Sequence, residues 1–189
     1  MIRLLVLALS ICLATPPAWA AWDIDQLLQT LARGKVSRAT FVEKKYLAML
    51  DSPVTSSGEL LFTAPNRLER RTLKPRPESV VLDGNTMTMS RGQREMVLNL
   101  QEYPAIGALT ESIRATLAGD RQALERHYTL KLEGNEARWS LLLVPREART
   151  RAFVLEIRIG GEQGEVRTVE IEQSDKDRSV MTIQKATGP

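Results

Sequence analysis

The chain has 189 residues, of which 43% are hydrophobic and 26% are charged. Its 26 basic and 23 acidic residues leave a net charge of +3, which is too balanced to indicate a nucleic-acid-binding protein. A chain of this size can bury roughly 70% of its unfolded surface, enough for one hydrophobic core.

The first 20 residues have the features of a secretory signal peptide. Arg3 precedes an apolar run, residues 4–14, that is too short to span a bilayer. Two prolines end this run, and Ala18-Trp19-Ala20 then matches a cleavage site for signal peptidase. The alternative interpretation is an N-terminal membrane anchor.

Cys12 raises the further possibility of lipid attachment, but the bulky Ile11 before it differs from a lipoprotein signal. We therefore expect a soluble periplasmic product of residues 21–189. That product contains no cysteine, so it forms no disulfide although its compartment would allow one.

The next segment predicts one amphipathic helix followed by strands. Residues 22–33 carry leucines at helical spacing, with Asp23 or Asp25 as the N-cap and Gly34 after the last turn. From Lys35 onward the pattern is one of strands and turns, because short apolar segments alternate with turn residues such as Asp-Gly. The predicted strands are 39–50, 58–64, 67–73, 79–82, 86–90 and 95–100.

A helical segment then interrupts the strands. Its apolar stripe ends before Gly119 and consists of Ile106, Leu109, Ile113 and Leu117. Asp120 is expected to cap a second short helix that extends to Leu124. Five further strands are predicted at 128–133, 138–144, 152–159, 166–173 and 179–185.

This order of elements predicts a mainly β, α+β fold with an antiparallel sheet, in a single domain over residues 21–189. Since helices are few, each of them has to pack on one face of a large curved sheet. The two amphipathic segments would together cover its concave side.

The sequence offers few groups for catalysis. His127 is the only histidine, at a predicted helix-to-strand junction, and a structural role is the simpler explanation for it. Motifs for a serine nucleophile, a zinc protease or a phosphate-binding loop are not found. We expect no catalytic site, no metal site and no cofactor.

Several predicted strands are apolar on both faces. Leu60, Phe62 and Ala64 point to one side of their strand, whereas Leu61 points to the other. By the same alternation, Met87 and Met89 share one face of their strand, and Met96 and Leu98 share one face of theirs. A strand between a core and an apolar cavity need not alternate, and methionines adapt to varied ligands. A plain core beneath the helices explains these residues equally well.

Three segments resemble the LolA family, the periplasmic carriers of outer-membrane lipoproteins. They are residues 39–44 (ATFVEK), 58–68 (GELLFTAPNRL) and 79–86 (SVVLDGNT). Each motif alone is weak, but their order after a signal peptide and an amphipathic helix is fairly specific. The resemblance covers most of the chain after residue 20 and is strongest over 36–100.

The resemblance implies an incomplete antiparallel β-barrel, here of about 11 strands, whose concave hydrophobic side is covered by helices and shelters acyl chains. It places Leu60, Phe62 and Ala64 on that side. Strand alternation extends the predicted cavity to Met87, Met89, Met96 and Leu98. The helices would act as lids through Leu27, Leu28, Leu31, Ile106, Leu109 and Ile113.

Two features depart from the family pattern. Ala64 stands where family carriers often have an arginine, just before the proline, that is implicated in holding the lid and releasing cargo. The chain also ends soon after Ile183, where typical carriers have an additional segment. The first departure implies that lid control differs from that of typical carriers, and the second concerns docking to their usual partners.

We therefore expect a carrier that binds the acyl chains of lipoproteins, or of a related envelope lipid, and moves them towards the outer membrane. Its partners would be this cargo, an inner-membrane donor and an outer-membrane acceptor; it would be a monomer that binds no nucleic acid. The alternatives are an envelope-lipid sensor on the same fold, an enzyme acting on an apolar substrate, and a solid-core domain without a cavity.

Overall fold

Eleven strands account for most of the fold. The computed structural model describes residues 22–186, so the predicted signal peptide over residues 1–20 lies outside the described residues. The first six strands are β1 Val36–Tyr46, β2 Val54–Thr63, β3 Arg67–Lys74, β4 Glu78–Asp83, β5 Thr86–Arg91 and β6 Arg94–Asn99. The remaining five are β7 Tyr128–Asn135, β8 Arg138–Pro145, β9 Val154–Glu162, β10 Glu165–Gln173 and β11 Arg178–Lys185.

All eleven strands form one antiparallel sheet in the order β6-β5-β4-β3-β2-β1-β11-β10-β9-β8-β7. Most neighbours are joined by hairpins, but the central pair is β1 with β11, from opposite ends of the described chain. β6 and β7 form the two edges of the sheet, so it is open. The predicted incomplete antiparallel barrel is thus confirmed.

Four helices and one short 3-10 helix complete the described part of the chain. They are α1 Ile24–Leu31, the 3-10 helix Leu100–Glu102, α2 Pro104–Ala118, α3 Arg121–His127 and α4 Ala148–Arg151. Asp23, rather than Asp25, caps α1, and its carboxylate accepts a hydrogen bond from the Gln26 backbone N–H. Gly119 ends α2 in a left-handed conformation with φ 73°.

The first hairpin differs from its prediction. The sequence predicts strands over 39–50 and 58–64, whereas β1 begins and ends earlier and β2 begins earlier. The Lys35 carbonyl accepts a hydrogen bond from Ala64 N–H, which brings the start of β1 into contact with the end of β2. After β1 the chain turns, and Ala48 N–H donates to the Asp177 carboxylate at 2.8 Å.

Two apolar clusters lie beneath the helices. The larger one joins α1, α2 and α3 to strands β7–β10, and its fully buried members include Leu27, Leu28, Leu124, Trp139 and Ile157. The smaller one joins Leu82, Met87 and Leu100 on the other half of the sheet. Between residues 22 and 186, no helix combines the length and the apolar character needed to cross a membrane.

Candidate functional site

A cavity of about 720 Å³ lies between the concave face of the sheet and helix α2. Its apolar lining comes from both halves of the sheet: Leu60, Phe62, Leu68, Val80, Leu82 and Met87 from β2–β5, and Ile159, Val166, Val169, Ile171, Met181 and Ile183 from β9–β11. The cavity therefore depends on the β1–β11 pairing that joins the two halves.

Strand register explains how the β2–β5 wall is formed. Phe62 is paired with Leu68, Leu68 with Leu82, and Leu82 with Met87, so one apolar row runs across four strands on the same face. Leu60 starts a parallel row one step away, in which Arg70 and Val80 follow. This second row places a charged side chain in an otherwise apolar wall.

Helix α2 covers the cavity and α1 closes one corner of it. Leu109, Ile113 and Leu117 of α2 and Leu31 of α1 contribute apolar side chains to the lining. These residues recur at helical spacing, which turns one face of α2 towards the sheet.

A contact outside the cavity ties α2 to the sheet. The Arg114 guanidinium donates a hydrogen bond of 2.6 Å to the Asn66 side-chain oxygen in the β2–β3 turn, and it also pairs with Glu111 on its own helix. Ala64 lies in that same turn. In this contact the arginine belongs to α2, and the β2–β3 turn that contains Ala64 supplies the acceptor.

One part of the cavity wall is polar. Glu43 of β1 is buried, with 4% of its surface exposed, and it lines the cavity together with Arg70 and Ser179. Its carboxylate accepts hydrogen bonds from Ser179 Oγ at 2.6 Å, Arg70 Nη2 at 2.5 Å and Ser56 Oγ at 3.3 Å. This polar cluster of Glu43, Ser56, Arg70 and Ser179 connects β1, β2, β3 and β11.

The environment of Glu43 favours its charged form. Burial alone raises the pKa of this carboxyl, but the hydrogen bond from Ser179 and the positive charges of Arg70 and Lys45 outweigh burial and lower the pKa below its ordinary value. The cluster therefore contains an ionised carboxylate paired with a guanidinium, and its net charge is zero.

Charged residues surround another part of the cavity. Lys185 Nζ lies 2.7 Å from Glu165 Oε1, Arg167 pairs with the same carboxylate, and all three residues contribute to the lining. The hydrogen bond from Lys185 lowers the pKa of Glu165, against the opposing effect of partial burial. These side chains are more exposed than Glu43, so they form a charged rim.

Six of the predicted site residues line the cavity: Leu60, Phe62, Met87, Leu31, Leu109 and Ile113. Their role in binding a ligand remains a prediction. The existence of a cavity nevertheless distinguishes this fold from the solid-core alternative.

Four predicted cavity residues lie outside the lining. Ala64 has left strand β2 for the turn before Pro65, so strand alternation no longer applies to it. Met89 and Leu98 pack against the smaller apolar cluster instead. Met96 is 50% exposed and belongs to β6, which is an edge strand of the sheet.

Three predicted lid residues also lie elsewhere. Leu27 and Leu28 are fully buried in the larger cluster, where they pack α1 onto its neighbours rather than facing the cavity. Ile106 is 37% exposed, in the first turn of α2.

Sequence reasoning did not identify the polar cluster. The available signal is in β1, where Ala39, Phe41 and Glu43 share one face by alternation, so a carboxylate follows two core-facing residues. Its partner Arg70 is 27 positions away, and Ser179 is 136 positions away. No local motif indicates that these three side chains meet.

The remaining candidate for chemistry lies apart from the cavity. His127 Nδ1 is 3.9 Å from Glu147 Oε1, and His127 is absent from the cavity lining. Within the described part of the chain, no group of three or more His, Cys, Asp or Glu side chains is arranged to hold a metal ion.

Comparison with known proteins gives matches over most of the chain. The sequence profile of the family described as outer membrane lipoprotein carrier protein LolA-like matches residues 14–186. The outer-membrane lipoprotein carrier protein of Dechloromonas aromatica strain RCB is 28% identical over 161 residues, which cover 85% of this chain and 75% of that protein.

Comparison with solved structures gives matches at low sequence identity. A DUF1329 family protein from Desulfovibrio piger has a TM-score of 0.50 at 11% identity, with 93% of this chain and 95% of that chain covered. A LolA superfamily protein from Nitrosomonas europaea has a TM-score of 0.48 at 10% identity, with coverage of 89% and 96%. The likeness to the Desulfovibrio piger protein, at 11% identity, concerns the fold alone.

The family profile extends through every described element, from α1 to β11. It includes both halves of the sheet and the helices that enclose the cavity between them. The resemblance that the sequence motifs indicate is therefore confirmed at the level of the family: the chain belongs to the outer membrane lipoprotein carrier protein LolA-like family.

Proposed function

We propose that this protein is a periplasmic carrier that binds the acyl chains of a lipoprotein, or of a related envelope lipid, and moves them towards the outer membrane. The observation that carries the proposal is the apolar cavity of about 720 Å³ between the sheet and α2. Its volume lies within the range of about 300–1,000 Å³ typical of small-molecule sites. The name of the Dechloromonas aromatica relative supports this class of cargo.

The energetics of hydrocarbon burial suit this task. Burial of a methylene contributes about 0.8 kcal/mol, so an acyl chain of ~16 carbons gains ~12 kcal/mol on entering a dry cavity. A chain that is only partly enclosed gains less and can still be released. Transport of this kind breaks no bond, so the proposed function requires no catalytic group, cofactor or metal.

The carrier would meet two partners and cross between them alone. A donor at the inner membrane supplies the cargo, the carrier crosses the aqueous space as a monomer, and an acceptor at the outer membrane receives the cargo. Export by the predicted signal peptide places the carrier in that space.

A pair of variants at neighbouring positions tests the cavity. Ala39 lines the cavity, whereas Thr40 is exposed on the opposite face of β1. Ala39→Trp fills space that hydrocarbon would occupy; loss of two methylene contacts corresponds to about tenfold weaker binding of an alkyl-chain fluorescent probe. Thr40→Trp adds the same side chain outside the cavity and should leave the probe affinity unchanged.

Phe62→Asp provides a second test, because it introduces a carboxylate into the apolar wall and should abolish probe binding. Circular dichroism establishes that each variant is folded. Probe affinity that is indifferent to both Ala39→Trp and Phe62→Asp would exclude this cavity as the binding site. Mass spectrometry of lipids and lipoproteins that copurify with the periplasmic protein then identifies the cargo.

A further inference from the structure

An ion pair in the wall of an apolar cavity, with Glu43 buried and Arg70 half-buried, needs an explanation. Taking two charges out of water costs several kcal/mol for each ion, and apolar residues of similar volume often stabilise a protein as well or better. Glu43 and Arg70 are nevertheless placed in the same wall as Leu60, Phe62 and Val80. A purely apolar wall would suffice to hold a hydrocarbon chain.

The hydrogen bonds of the polar cluster are complete on one side only. Both carboxylate oxygens of Glu43 have partners. Arg70 uses only Nη2, towards Glu43 and Ser56. Within residues 22–186, its Nε and Nη1 make no hydrogen bond. Because 28% of the Arg70 side chain is accessible, a ligand can reach it. Arg70 thus retains N–H donors in a residue that lines the cavity.

A second contact fixes the orientation of the guanidinium. Arg70 Cζ lies over the face of the Phe41 ring, 4.6 Å from its centroid, in a cation–π contact. The N–H groups project along the edge of the guanidinium plane. The ion pair and the ring together hold Arg70 in place before any ligand arrives.

The charge of the cluster selects the kind of group that these donors would meet. Because Glu43 already neutralises Arg70, a carboxylate or phosphate would have to lose its hydration and compete with the existing carboxylate. A neutral carbonyl meets no such competition, and it supplies the acceptor that an arginine N–H requires. Ester and amide carbonyls at the head of an acyl chain have this property.

We propose that Arg70 donates a hydrogen bond to the ester or amide carbonyl of an acylated ligand whose hydrocarbon chain occupies the apolar part of the cavity. This inference rests on the proposed carrier function and specifies its ligand as an acyl ester or acyl amide. The polar cluster fixes the position of the carbonyl, and the apolar wall accommodates the chain. Glu43 acts as a positioning residue for Arg70.

The experiment compares three probes of similar chain length: methyl palmitate with a neutral carbonyl, heptadecane with no acceptor, and palmitate with a carboxylate. Their affinities are measured by displacement of an apolar fluorescent dye. The variant is Glu43→Gln/Arg70→Met, which removes both charges together so that neither is left buried and unpaired. The affinity of each probe for the double variant is compared with its affinity for wild-type protein, so that the hydrophobicity of the probe cancels.

A charge-assisted hydrogen bond predicts about tenfold weaker binding of methyl palmitate to the double variant. Heptadecane should bind wild-type protein and the double variant with equal affinity. For palmitate, the loss of affinity in the double variant should be smaller than for methyl palmitate. The matched control is Glu78→Gln/Arg91→Met, which removes a cross-strand ion pair outside the cavity lining. It should leave all three affinities unchanged.

The possible outcomes separate this inference from the function on which it rests. Equal losses for methyl palmitate and heptadecane would show that the cluster only supports the structure, and the inference would be overturned. A greater loss for palmitate than for methyl palmitate would overturn it in favour of an anion site. If wild-type protein binds none of the probes, the carrier function itself fails.

A final pair of probes distinguishes the sources of the carbonyl. A synthetic triacylated lipopeptide represents a lipoprotein, and a diacylglycerol represents a glycerolipid. We expect the double variant to bind the lipopeptide or the diacylglycerol more weakly than wild-type protein does, whichever of the two the wild-type protein binds. A natural ligand whose affinity does not depend on Arg70 would contradict the proposal.

Discussion

Gly58 shows how one residue controls the geometry of the cavity wall. It lies at a register shift between β2 and β3, where the backbone of Arg71 approaches closely. A Cβ at Gly58 would lie 1.8 Å from the Arg71 carbonyl oxygen and 3.0 Å from Cε1 of Phe41. Phe41 in turn lies beneath the Arg70 guanidinium, so the absence of a side chain at Gly58 helps to place the polar cluster.

We expect Gly58→Ala to destabilise the protein by about 3 kcal/mol, because the methyl group requires the β3 backbone to move. Gly84→Ala is the matched control: Gly84 has φ 55°, but no atom lies within 4 Å of a Cβ there. Only the left-handed backbone penalty applies to that control, about 1 kcal/mol. Urea unfolding of both variants measures the difference, and equal losses would contradict the close approach.

At the scale of elements, α2 is held over the cavity by contacts at several points. Its first turn packs against the 3-10 helix, and Gly119 at its end lies close to the Leu28 carbonyl of α1. Between these points, Arg114 reaches across to Asn66. This side-chain contact connects α2 directly to the sheet.

We predict that Asn66→Ala speeds the exchange of an alkyl-chain probe by about fivefold. The substitution removes a hydrogen bond that contributes about 1 kcal/mol to holding α2 over the cavity. Stopped-flow fluorescence measures the association and dissociation rates. Asn85→Ala changes the same residue type in the β4–β5 turn and should leave both rates unchanged. Rates in Asn66→Ala equal to wild type would show that this contact does not restrain α2.

The elements could be predicted largely because local signals define them. Turn residues such as Asp83 and Gly84 divide the chain into strands, and Gly119 ends α2 as expected. The four-residue helix α4 was missed, because it is too short to show helical periodicity. Met96 pairs with Met89, so the two residues share a face of the sheet, but strand alternation carries no information on distance from the centre of the sheet.

At the scale of the whole molecule, the polar cluster connects four strands that include the central β1–β11 pair. It therefore couples the stability of the whole sheet to pH. The folded state holds the pKa of Glu43 below its usual value of 4.5. As the pH falls, the unfolded chain takes up this proton first, so stability that is present above pH 4.5 is lost below it.

We expect Glu43→Gln to be less stable than wild type at pH 7, because Arg70 loses its ionic partner. Its stability should also fall less steeply below pH 4.5 than that of wild type, because the substituted amide binds no proton in this range. Thermal melts between pH 7 and pH 3 measure both effects. Glu133→Gln removes an exposed carboxylate paired with Lys131, and its melting profile should follow wild type at physiological salt. If the melting temperatures of Glu43→Gln and wild type fell equally steeply below pH 4.5, Glu43 would not couple the stability of the sheet to pH.

The whole-molecule arrangement was predicted only where a family resemblance supplied it. Local patterns indicate an antiparallel sheet, but they do not show that β1 pairs with β11, and they leave a cavity and a plain core equally plausible. Glu43 and Arg70 were missed for the same reason, since a contact between distant strands leaves no periodic trace in the sequence. Six predicted site residues line the cavity because they belong to strands and helices with clear alternation or helical spacing.

The pairing of β1 with β11 has a consequence for a chain that is synthesised from its N terminus. Until β11 emerges, β1 keeps one unpaired edge and the apolar faces of β2–β5 have no opposite wall. Contacts between residues 136 positions apart form late in folding, because a long loop must close first. The cavity between the two halves of the sheet would therefore be complete only after β11 has joined β1.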